Sequence, residues 1–253
     1  MFTIIVPTHD RPFLLHRTLQ SLIQQTFRDF TVIIVSDSSQ YIAPYEDLAA
    51  LPGPYFYVLH NGSPGPAESR NLAINLVETD YALFLDDDDT FAPDHLESLA
   101  RAVAAARPEL LYCSFTVVEE DRMVMPPKIL AETTIDIPGV SRESVFVNNV
   151  IPNSCLLYSN RVLKSARFDP SLILYEDWDY LLTCLKGCAL TYTPLHSVRI
   201  HKSYVAGEHN IRRGNSNDAH LIDVTKEIYR RHPAPDERHQ LLRWERFRSV
   251  GIE

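Results

Sequence analysis

Short apolar runs alternate with longer amphipathic stretches through the first half of the chain. The apolar runs predict strands at residues 2–6, 30–35, 54–60, 81–85 and 110–118. Residues 11–25, 66–77 and 93–106 have helical spacing, each with a proline near its first position, where proline is tolerated. This alternation is typical of an α/β fold with a mostly parallel central sheet and helices on both faces.

The second half is less regular. Residues 120–150 are predicted to form a loop with a short helix at 141–147. A strand is expected at 154–158, a helix at 176–186, and one or two strands around Pro194 within 190–201. After a polar stretch, helices are predicted at 218–231 and 235–248. Residues 204–253 therefore form a loop followed by a helical C-terminal extension in this interpretation.

The composition is that of a globular protein with an acidic balance. Of 253 residues, 45% are hydrophobic. The chain has 24 Lys and Arg and 33 Asp and Glu, which gives a net charge of −9. Such a chain has no general attraction for nucleic acid, so none is expected as a partner. The four cysteines are too scattered for a disulfide framework, and no signal peptide or long apolar run is present. These features predict a cytoplasmic protein, and peripheral contact with the inner face of the membrane stays open.

Four consecutive aspartates, residues 86–89, follow directly after the apolar run 81–85. Like charges at a strand end repel one another unless solvent or a cation offsets the repulsion. Hard divalent ions such as Mn²⁺ or Mg²⁺ prefer carboxylate oxygen. An EF-hand does not fit, because Phe91 stands where that loop requires glycine and Pro93 interrupts it. The run therefore predicts a site for a divalent metal.

Two enzymatic interpretations fit the run by itself. Asp86-x-Asp88-x-Thr90 after an apolar strand matches the first motif of haloacid-dehalogenase-type phosphatases, with Asp86 as the nucleophile. The alternative is a D-x-D pair that binds a metal–nucleotide complex. The phosphatase would carry its nucleophile on the first strand of the domain, whereas here residues 1–80 already have an α/β pattern.

Motifs along residues 2–201 resemble those of family 2 glycosyltransferases. The segments IIVPTHDRP (4–12), LQSLIQQTF (19–27) and IIVSDSS (33–39) resemble the N-terminal half of that family. GPAESRN (65–71) resembles its G-x-x-x-x-R-N helix, FLDDDD (84–89) its L-D-x-D-D motif, and EDWD (176–179) its E-D-W motif. The resemblance implies a GT-A fold over residues 1–203, with a nucleotide-sugar half at 1–118 and an acceptor half at 119–203.

The resemblance also implies a function: metal-dependent, inverting transfer of a sugar from a nucleotide diphosphate donor to a hydroxyl group. It implies a UDP-sugar donor, a saccharide or glycolipid acceptor and a role in surface polysaccharide synthesis. His9-Asp10 stands where Tyr-Asn is common, which leaves the nucleotide base open. A catalytically silent binding subunit with the same fold is the rival from another class, and a homo-oligomer stays open.

By position in these motifs, the expected site residues fall into groups. Donor binding is expected from Pro7, Thr8, Asp10, Asp37, Arg70, Asp86 and Asp87. Asp88 and His201 are expected to bind the metal, with Asp89 as a further candidate. Asp177 is expected to be the catalytic base, with Glu176 and Asp179 as competitors, while Lys202, Arg212 and Arg213 are candidates for local positive charge. Asn71 is expected to be structural.

Apolar and basic residues interleave in the C-terminal segment, as in Leu241, Trp244 and Arg243. Three roles are compatible with this pattern: docking on the catalytic domain, a dimer contact, or binding to an acidic membrane surface.

Overall fold

The structure, a computed structural model, describes residues 1–38, 43–62, 65–203 and 219–249, with the side chains of 219 and 220 left out. The strands are β1 (Phe2–Thr8), β2 (Phe30–Ser36), β3 (Tyr55–Leu59), β4 (Tyr81–Phe84), β5 (Thr90–Phe91), β6 (Leu110–Asp121), β7 (Lys128–Ile135), β8 (Leu156–Ser159) and β9 (Leu190–Lys202). The helices are α1 (Pro12–Ile23), α2 (Tyr45–Ala50), α3 (Pro66–Leu76), α4 (His95–Ala106), α5 (Arg142–Val145), α6 (Asn160–Leu163), α7 (Glu176–Leu185), α8 (Ala219–Arg231) and α9 (Glu237–Ser249). A single 3-10 turn, Asn153–Cys155, precedes β8.

The strands form one sheet in the order β3-β2-β1-β4-β8-β6-β9-β5, with β7 paired to β6. The four strands from β3 to β4 are parallel, as the sequence predicts for the first half. The other half is mixed, because β8 runs antiparallel to both β4 and β6 whereas β9 is parallel to β6. The carboxyl ends of β1, β2 and β4 therefore lie at one edge of the sheet, where ligands bind in such folds.

The prediction of a loop over residues 120–150 is wrong for much of that segment. β6 continues to Asp121, and β7 follows as its antiparallel partner. All residues of β7 except Ile135 are exposed, so the strand carries no alternation of apolar and polar positions that could reveal it. α2, α6 and β5 were likewise not predicted, because they are too short for a periodic pattern. Around Pro194 the chain forms a single strand, β9.

An aromatic cluster behind the aspartate run supports the end of β4. Phe84 contacts Tyr158, Phe168 and Tyr180 edge-to-face, with ring centroids 5.2 to 6.0 Å apart. The Asn71 side chain makes two hydrogen bonds with the backbone of Phe168. Its amide nitrogen donates to the Phe168 carbonyl (2.8 Å), and its amide oxygen accepts from the Phe168 N–H (2.9 Å). Asn71 is thus in a structural position, as expected from the sequence.

The C-terminal helices dock on the preceding part of the fold, and docking was the first of the three roles that the sequence left open. Arg243 is 2% exposed, and its guanidinium lies 4.0 Å over the Tyr229 ring and donates to the Phe146 carbonyl. Leu241 and Trp244 of α9 remain exposed. Within the described ranges, none of the helices has the length and apolar content needed to cross a bilayer.

Candidate active site

The aspartate run forms a tight turn directly after β4. The backbone N–H of Asp89 donates to the Asp86 carbonyl (3.0 Å). From α1, the hydroxyl of Thr18 lies 2.9 and 2.8 Å from the carbonyl oxygens of Asp87 and Asp89. Because the backbone of the turn is fixed in this way, each of its four side chains has a defined direction.

Asp87 faces the end of β1. Its carboxylate accepts hydrogen bonds from the Thr8 hydroxyl (2.8 Å) and the Arg11 guanidinium (3.2 Å). Burial raises the pKa of Asp87 to about 6, although Arg11 acts against that shift. Asp87 therefore ties the aspartate turn to β1 and to the start of α1.

Asp89 faces the other half of the sheet. It accepts from the Ser154 hydroxyl (3.0 Å) and from the backbone N–H of His201 (3.1 Å). The backbone N–H of Asp86 donates to the same Ser154 oxygen (3.4 Å). Asp89 thus links the turn to β9 and to the 3-10 turn before β8.

The residues present fit a divalent metal ion. Asp86, Asp88 and Asp89 each offer one carboxylate oxygen, and these oxygens lie within 4.8 Å of one another. A set of oxygen donors is what Mg²⁺ and Mn²⁺ prefer. Asp88 also lies 3.3 Å from the Arg122 guanidinium and 3.9 Å from Arg11, so cationic groups already balance part of its charge.

His201 lies beside this carboxylate group but is not one of its members. Its Nδ1 is 3.1 Å from Glu120 Oε2, and its Nε2 is 2.9 Å from the Thr90 hydroxyl. Burial lowers the pKa of His201, with Glu120 opposing the shift, so the ring is neutral at pH 7. Because an ionised carboxylate only accepts, Nδ1 carries the proton and the Nε2 lone pair faces Thr90. Metal-ligating histidines are oriented in this way by a carboxylate, but the role of His201 as a ligand stays a prediction.

Four arginines supply positive charge at the site, and the sequence analysis identified only Arg70. Arg17 and Arg122 both donate to Glu120 at 2.6 Å, and Arg17 also donates to the Asp88 carbonyl (2.8 Å). Although burial acts to raise it, hydrogen bonds from His201, Arg17 and Arg122 lower the pKa of Glu120 to about 2. The fourth arginine is Arg11.

Of the cations that the sequence suggested, Lys202 lines the cleft, and Arg212 and Arg213 lie outside the described residues.

Asp37 lies just beyond β2, where the sequence placed a nucleotide-binding carboxylate. It accepts from the His9 ring (2.7 Å) and from the backbone N–H of Gly65 (2.6 Å) at the start of α3. Asp10 has a left-handed backbone (φ 49°) and contacts the Ser38 hydroxyl. The loops after β1 and β2 are therefore joined to α3 at this end of the cleft.

Arg70 joins the aspartate turn to α7. It is buried, and its two terminal nitrogens donate to Asp86 and Glu176, both at 2.8 Å. Tyr175, which precedes α7, has a left-handed backbone (φ 60°), a conformation that costs energy in a non-glycine residue. The beginning of α7 is thus held in a defined place relative to Asp86.

Among the three acids at this end of α7, Asp177 is the one whose carboxylate accepts no hydrogen bond from a basic side chain of the described residues. Glu176 is occupied by Arg70, and Asp179 accepts from the buried His232 ring (2.8 Å). Asp177 lines the cleft, and its only hydrogen bond among the described residues is from the adjacent Trp178 N–H (2.8 Å). Burial, with repulsion from Glu176, raises the pKa of Asp177 to about 6. A carboxylate with a raised pKa in a cleft is suited to accept a proton.

A cleft of about 640 Å³ brings the predicted residues together. Its lining includes most of the donor-binding, metal and base candidates: Pro7, Thr8, Asp37, Arg70, Asp86, Asp87, Asp88, Glu176, Asp177, His201 and Lys202. Asp10 and Asp89 do not line it. The sequence interpretation thus located one continuous site, but it missed His9, Arg11 and Arg122, which also line the cleft.

The raised pKa of Asp177 predicts an acid limb in the pH dependence of turnover. Below pH 6 the carboxyl is protonated and cannot accept a proton, so kcat is expected to fall by about tenfold for each pH unit. Above that value kcat is expected to reach a plateau. Nucleotide release from the donor, measured between pH 4.5 and 8.5, checks this. A profile that is flat between pH 5 and 7 would contradict it.

Comparison with known proteins decides the family. The family model described as glycosyl transferase family 2 matches residues 3–164, more than half of the chain. The chain belongs to glycosyl transferase family 2. Family membership establishes a glycosyltransferase enzyme and disfavours the phosphatase interpretation of Asp86, which also follows the fourth strand of the sheet rather than the first.

Family 2 relatives share about a quarter of its residues. A glycosyltransferase of Haemophilus influenzae is 26% identical over 241 residues, covering 90% of this chain and 77% of the relative. The succinoglycan biosynthesis protein ExoW of Rhizobium meliloti is 27% identical over 201 residues. That match covers 72% of this chain but only 62% of ExoW.

Solved structures of transferases share the fold. The S. aureus TarS structure matches with a TM-score of 0.70 at 17% identity, over 98% of this chain and 43% of that protein. The mannosyltransferase PcManGT of Pyrobaculum calidifontis, solved with GDP-Man and Mn²⁺, matches with a TM-score of 0.66 at 16% identity, over 97% of this chain and 69% of that one. The expected GT-A fold is thereby confirmed.

Proposed function

We propose that this family 2 enzyme is a metal-dependent, inverting glycosyltransferase that uses a UDP-sugar. The observation that carries the proposal is the cleft itself, which holds the carboxylate group around Asp88 and the raised-pKa carboxyl of Asp177. One carboxylate site suits a metal–diphosphate complex, and the other suits deprotonation of an acceptor. A pure binding subunit requires no carboxyl that accepts a proton, and the family match disfavours the phosphatase.

The donor is proposed to lie along the carboxyl edge of β1, β2 and β4. Asp37 and the backbone around Thr8 would contact the nucleoside, and Arg70 and Arg11 lie where they can balance a diphosphate. A TarS fragment, residues 1–349, has been solved with UDP-GlcNAc and matches this chain with a TM-score of 0.70. That neighbour supports a UDP-sugar, although PcManGT was solved with GDP-Man.

Asp88, with Asp86 and Asp89, would hold the divalent ion. When bound, the ion would neutralise charge on the departing diphosphate as a Lewis acid. The chain contributes the fixed turn that places these carboxylates, and Arg122 and Arg11 beside Asp88 keep its charge balanced. Mn²⁺ and Mg²⁺ are both compatible with the oxygen ligands.

Asp177 would take the proton from the acceptor hydroxyl. Inversion requires a base on the side of the sugar opposite the leaving group, within hydrogen-bond reach of the attacking oxygen. Glu176 and Arg70 hold the first turn of α7 beside Asp86, which fixes the base relative to the donor site.

The acceptor is proposed to be a saccharide or glycolipid of a surface polysaccharide. Relatives named for succinoglycan and colanic acid synthesis support this. A cytoplasmic location, peripheral membrane contact and a homo-oligomer stay predictions.

A thermal-shift screen with nucleotide sugars tests the proposal. We expect UDP-sugars with Mn²⁺ to raise the melting temperature by several degrees, and EDTA to abolish most of that rise, because ligand binding stabilises the folded state. The best-stabilising donor should release UDP with Mn²⁺ and lose at least 90% of turnover in EDTA. Larger stabilisation by GDP-mannose would overturn the UDP assignment. Full turnover in EDTA would overturn the metal-dependent mechanism.

A further inference from the structure

The C-terminal helices contact the segments that carry the base. In α7, the Trp178 indole N–H donates to the Val145 carbonyl (2.8 Å), and its ring packs edge-to-face on Tyr229 of α8. The Tyr229 hydroxyl donates to the Val147 carbonyl (2.7 Å). Residues 145–147 lead into residues 148–152, which line the cleft. The extension therefore packs against both α7 and one wall of the cleft.

A buried pair, Asp179 and His232, joins the base helix to the end of α8. His232 is 2% exposed, and its Nε2 lies 2.8 Å from the Asp179 carboxylate. Its Nδ1 is buried and has no hydrogen-bond partner among the described residues. The contact with Asp179 is therefore the only hydrogen bond of the ring within the described part of the chain.

Neighbouring groups hold this pair in place. Arg231 binds Asp169 (2.6 Å) and lies 3.7 Å from Asp179. Arg243 of α9 donates to the His232 carbonyl (2.7 Å). The end of α8 is thus fixed by these contacts, and His232 holds Asp179 in a fixed position.

The contact between His232 and Asp179 also affects Asp177, because Asp177 and Asp179 both lie in the first turn of α7. Successive helix residues are about 100° apart, so Asp177 and Asp179 project in nearly opposite directions from the α7 axis. Glu176 and Asp179 are three residues apart and project only about 60° from each other, so Arg70 and His232 hold neighbouring positions on the surface of α7. Together these two contacts set the rotation of the first turn about its axis, with Asp177 on another side of the helix.

We propose that Asp179 and His232 are positioning residues that aim Asp177 at the acceptor hydroxyl, and that the C-terminal extension is thereby part of the catalytic apparatus. The inference rests on the proposed role of Asp177 as base. A shift of about 1 Å in a reacting group can lower a rate by about 100-fold, so loss of one of these contacts is sufficient to matter.

The first test is His232→Leu, assayed as UDP release from UDP-GlcNAc with Mn²⁺ and water as acceptor. We expect kcat to fall by about 10- to 100-fold, with the Kd for UDP unchanged within twofold. His232→Gln retains an N–H donor near the position of Nε2 and should recover most of the activity. His196→Leu is the matched control, because it removes the exposed His196–Asp136 pair of β9 and should leave kcat unchanged.

A double-mutant cycle separates positioning from general structural support. If His232 acts through the base, His232→Leu should lower the residual rate of Asp177→Asn by less than twofold. A full additional loss in that background would overturn the proposal. Wild-type activity in Asp177→Asn would instead overturn the base assignment, so the two failures are distinguishable.

Hydrogen exchange provides a readout that needs no substrate. In His232→Leu, amides of residues 174–182 should exchange at least about tenfold faster than in the wild type, while those of β1 and β4 stay unchanged. If His232→Leu does not fold, Asp179→Asn is measured in the same assays. A folded variant with wild-type kcat and unchanged exchange in α7 would overturn the proposal.

Discussion

Asp88→Asn is expected to lower turnover of the donor by roughly a thousandfold, the largest loss of any single substitution in the aspartate turn. Asparagine has nearly the same size, but it removes the charge at the centre of the group formed by Asp86, Asp88 and Asp89. Mn²⁺ should then no longer improve UDP binding. Initial rates of UDP release and titration calorimetry of UDP, each with and without Mn²⁺, measure the two effects.

Asp94→Asn is the matched control for this substitution. Asp94 is exposed in front of α4 and makes no side-chain capping hydrogen bond, so its loss of charge should change neither turnover nor UDP binding. If Mn²⁺ still improved UDP binding to Asp88→Asn, and the variant kept more than a tenth of the wild-type turnover, Asp88 would not be a metal ligand.

Asp177→Asn is expected to lower kcat by about a thousandfold while the Kd for UDP with Mn²⁺ stays within twofold. The amide cannot accept the proton of the acceptor hydroxyl, but it contacts neither Asp88 nor the residues around Asp37. Single-turnover rates with the identified donor, together with UDP titrations, check this expectation. The acid limb of the pH profile should vanish in this variant.

Asp223→Asn serves as the control, since Asp223 is exposed on α8. Should Asp177→Asn retain a tenth or more of the wild-type kcat, the base would have to be another group in the cleft. Glu176→Gln and Asp179→Asn would then be compared directly.

Local patterns were sufficient to predict the parallel part of the sheet and the position of the site. β1, β2 and β4 are short strands that are mostly buried, and the polar residues Thr8, Asp37 and Asp86 lie at or just beyond their carboxyl ends. Because parallel strands end at one edge, these residues had to converge there. The placement of Asp177 in the same cleft came from the motif resemblance and not from spacing.

Long-range pairings could not be predicted. Arg122 lies in a segment that was interpreted as a loop, and it reaches Asp88 only because β6 extends beyond residue 118. The pairing of Arg17 with Glu120 joins residues 103 positions apart. No local pattern indicates either contact, since both depend on how β6 and α1 meet.

The ion pairs between arginines and the aspartate turn also change the interpretation of the acidic charge. The net charge of −9 suggested carboxylates balanced by a metal ion. In the structure, arginines already pair with three carboxylates of the aspartate turn: Arg70 contacts Asp86, Arg11 contacts Asp87, and Arg122 contacts Asp88. A divalent ion would therefore add to a partly neutralised cluster.

We propose that a divalent metal ion held by Asp88 binds the donor diphosphate in this cleft. A crystal structure with UDP and Mn²⁺, with anomalous data collected at the manganese absorption edge, tests it most directly. We expect one strong anomalous peak within bonding distance of an Asp88 carboxylate oxygen and of a diphosphate oxygen. UDP bound in the cleft with no manganese at Asp88, or with its diphosphate away from that residue, would contradict it.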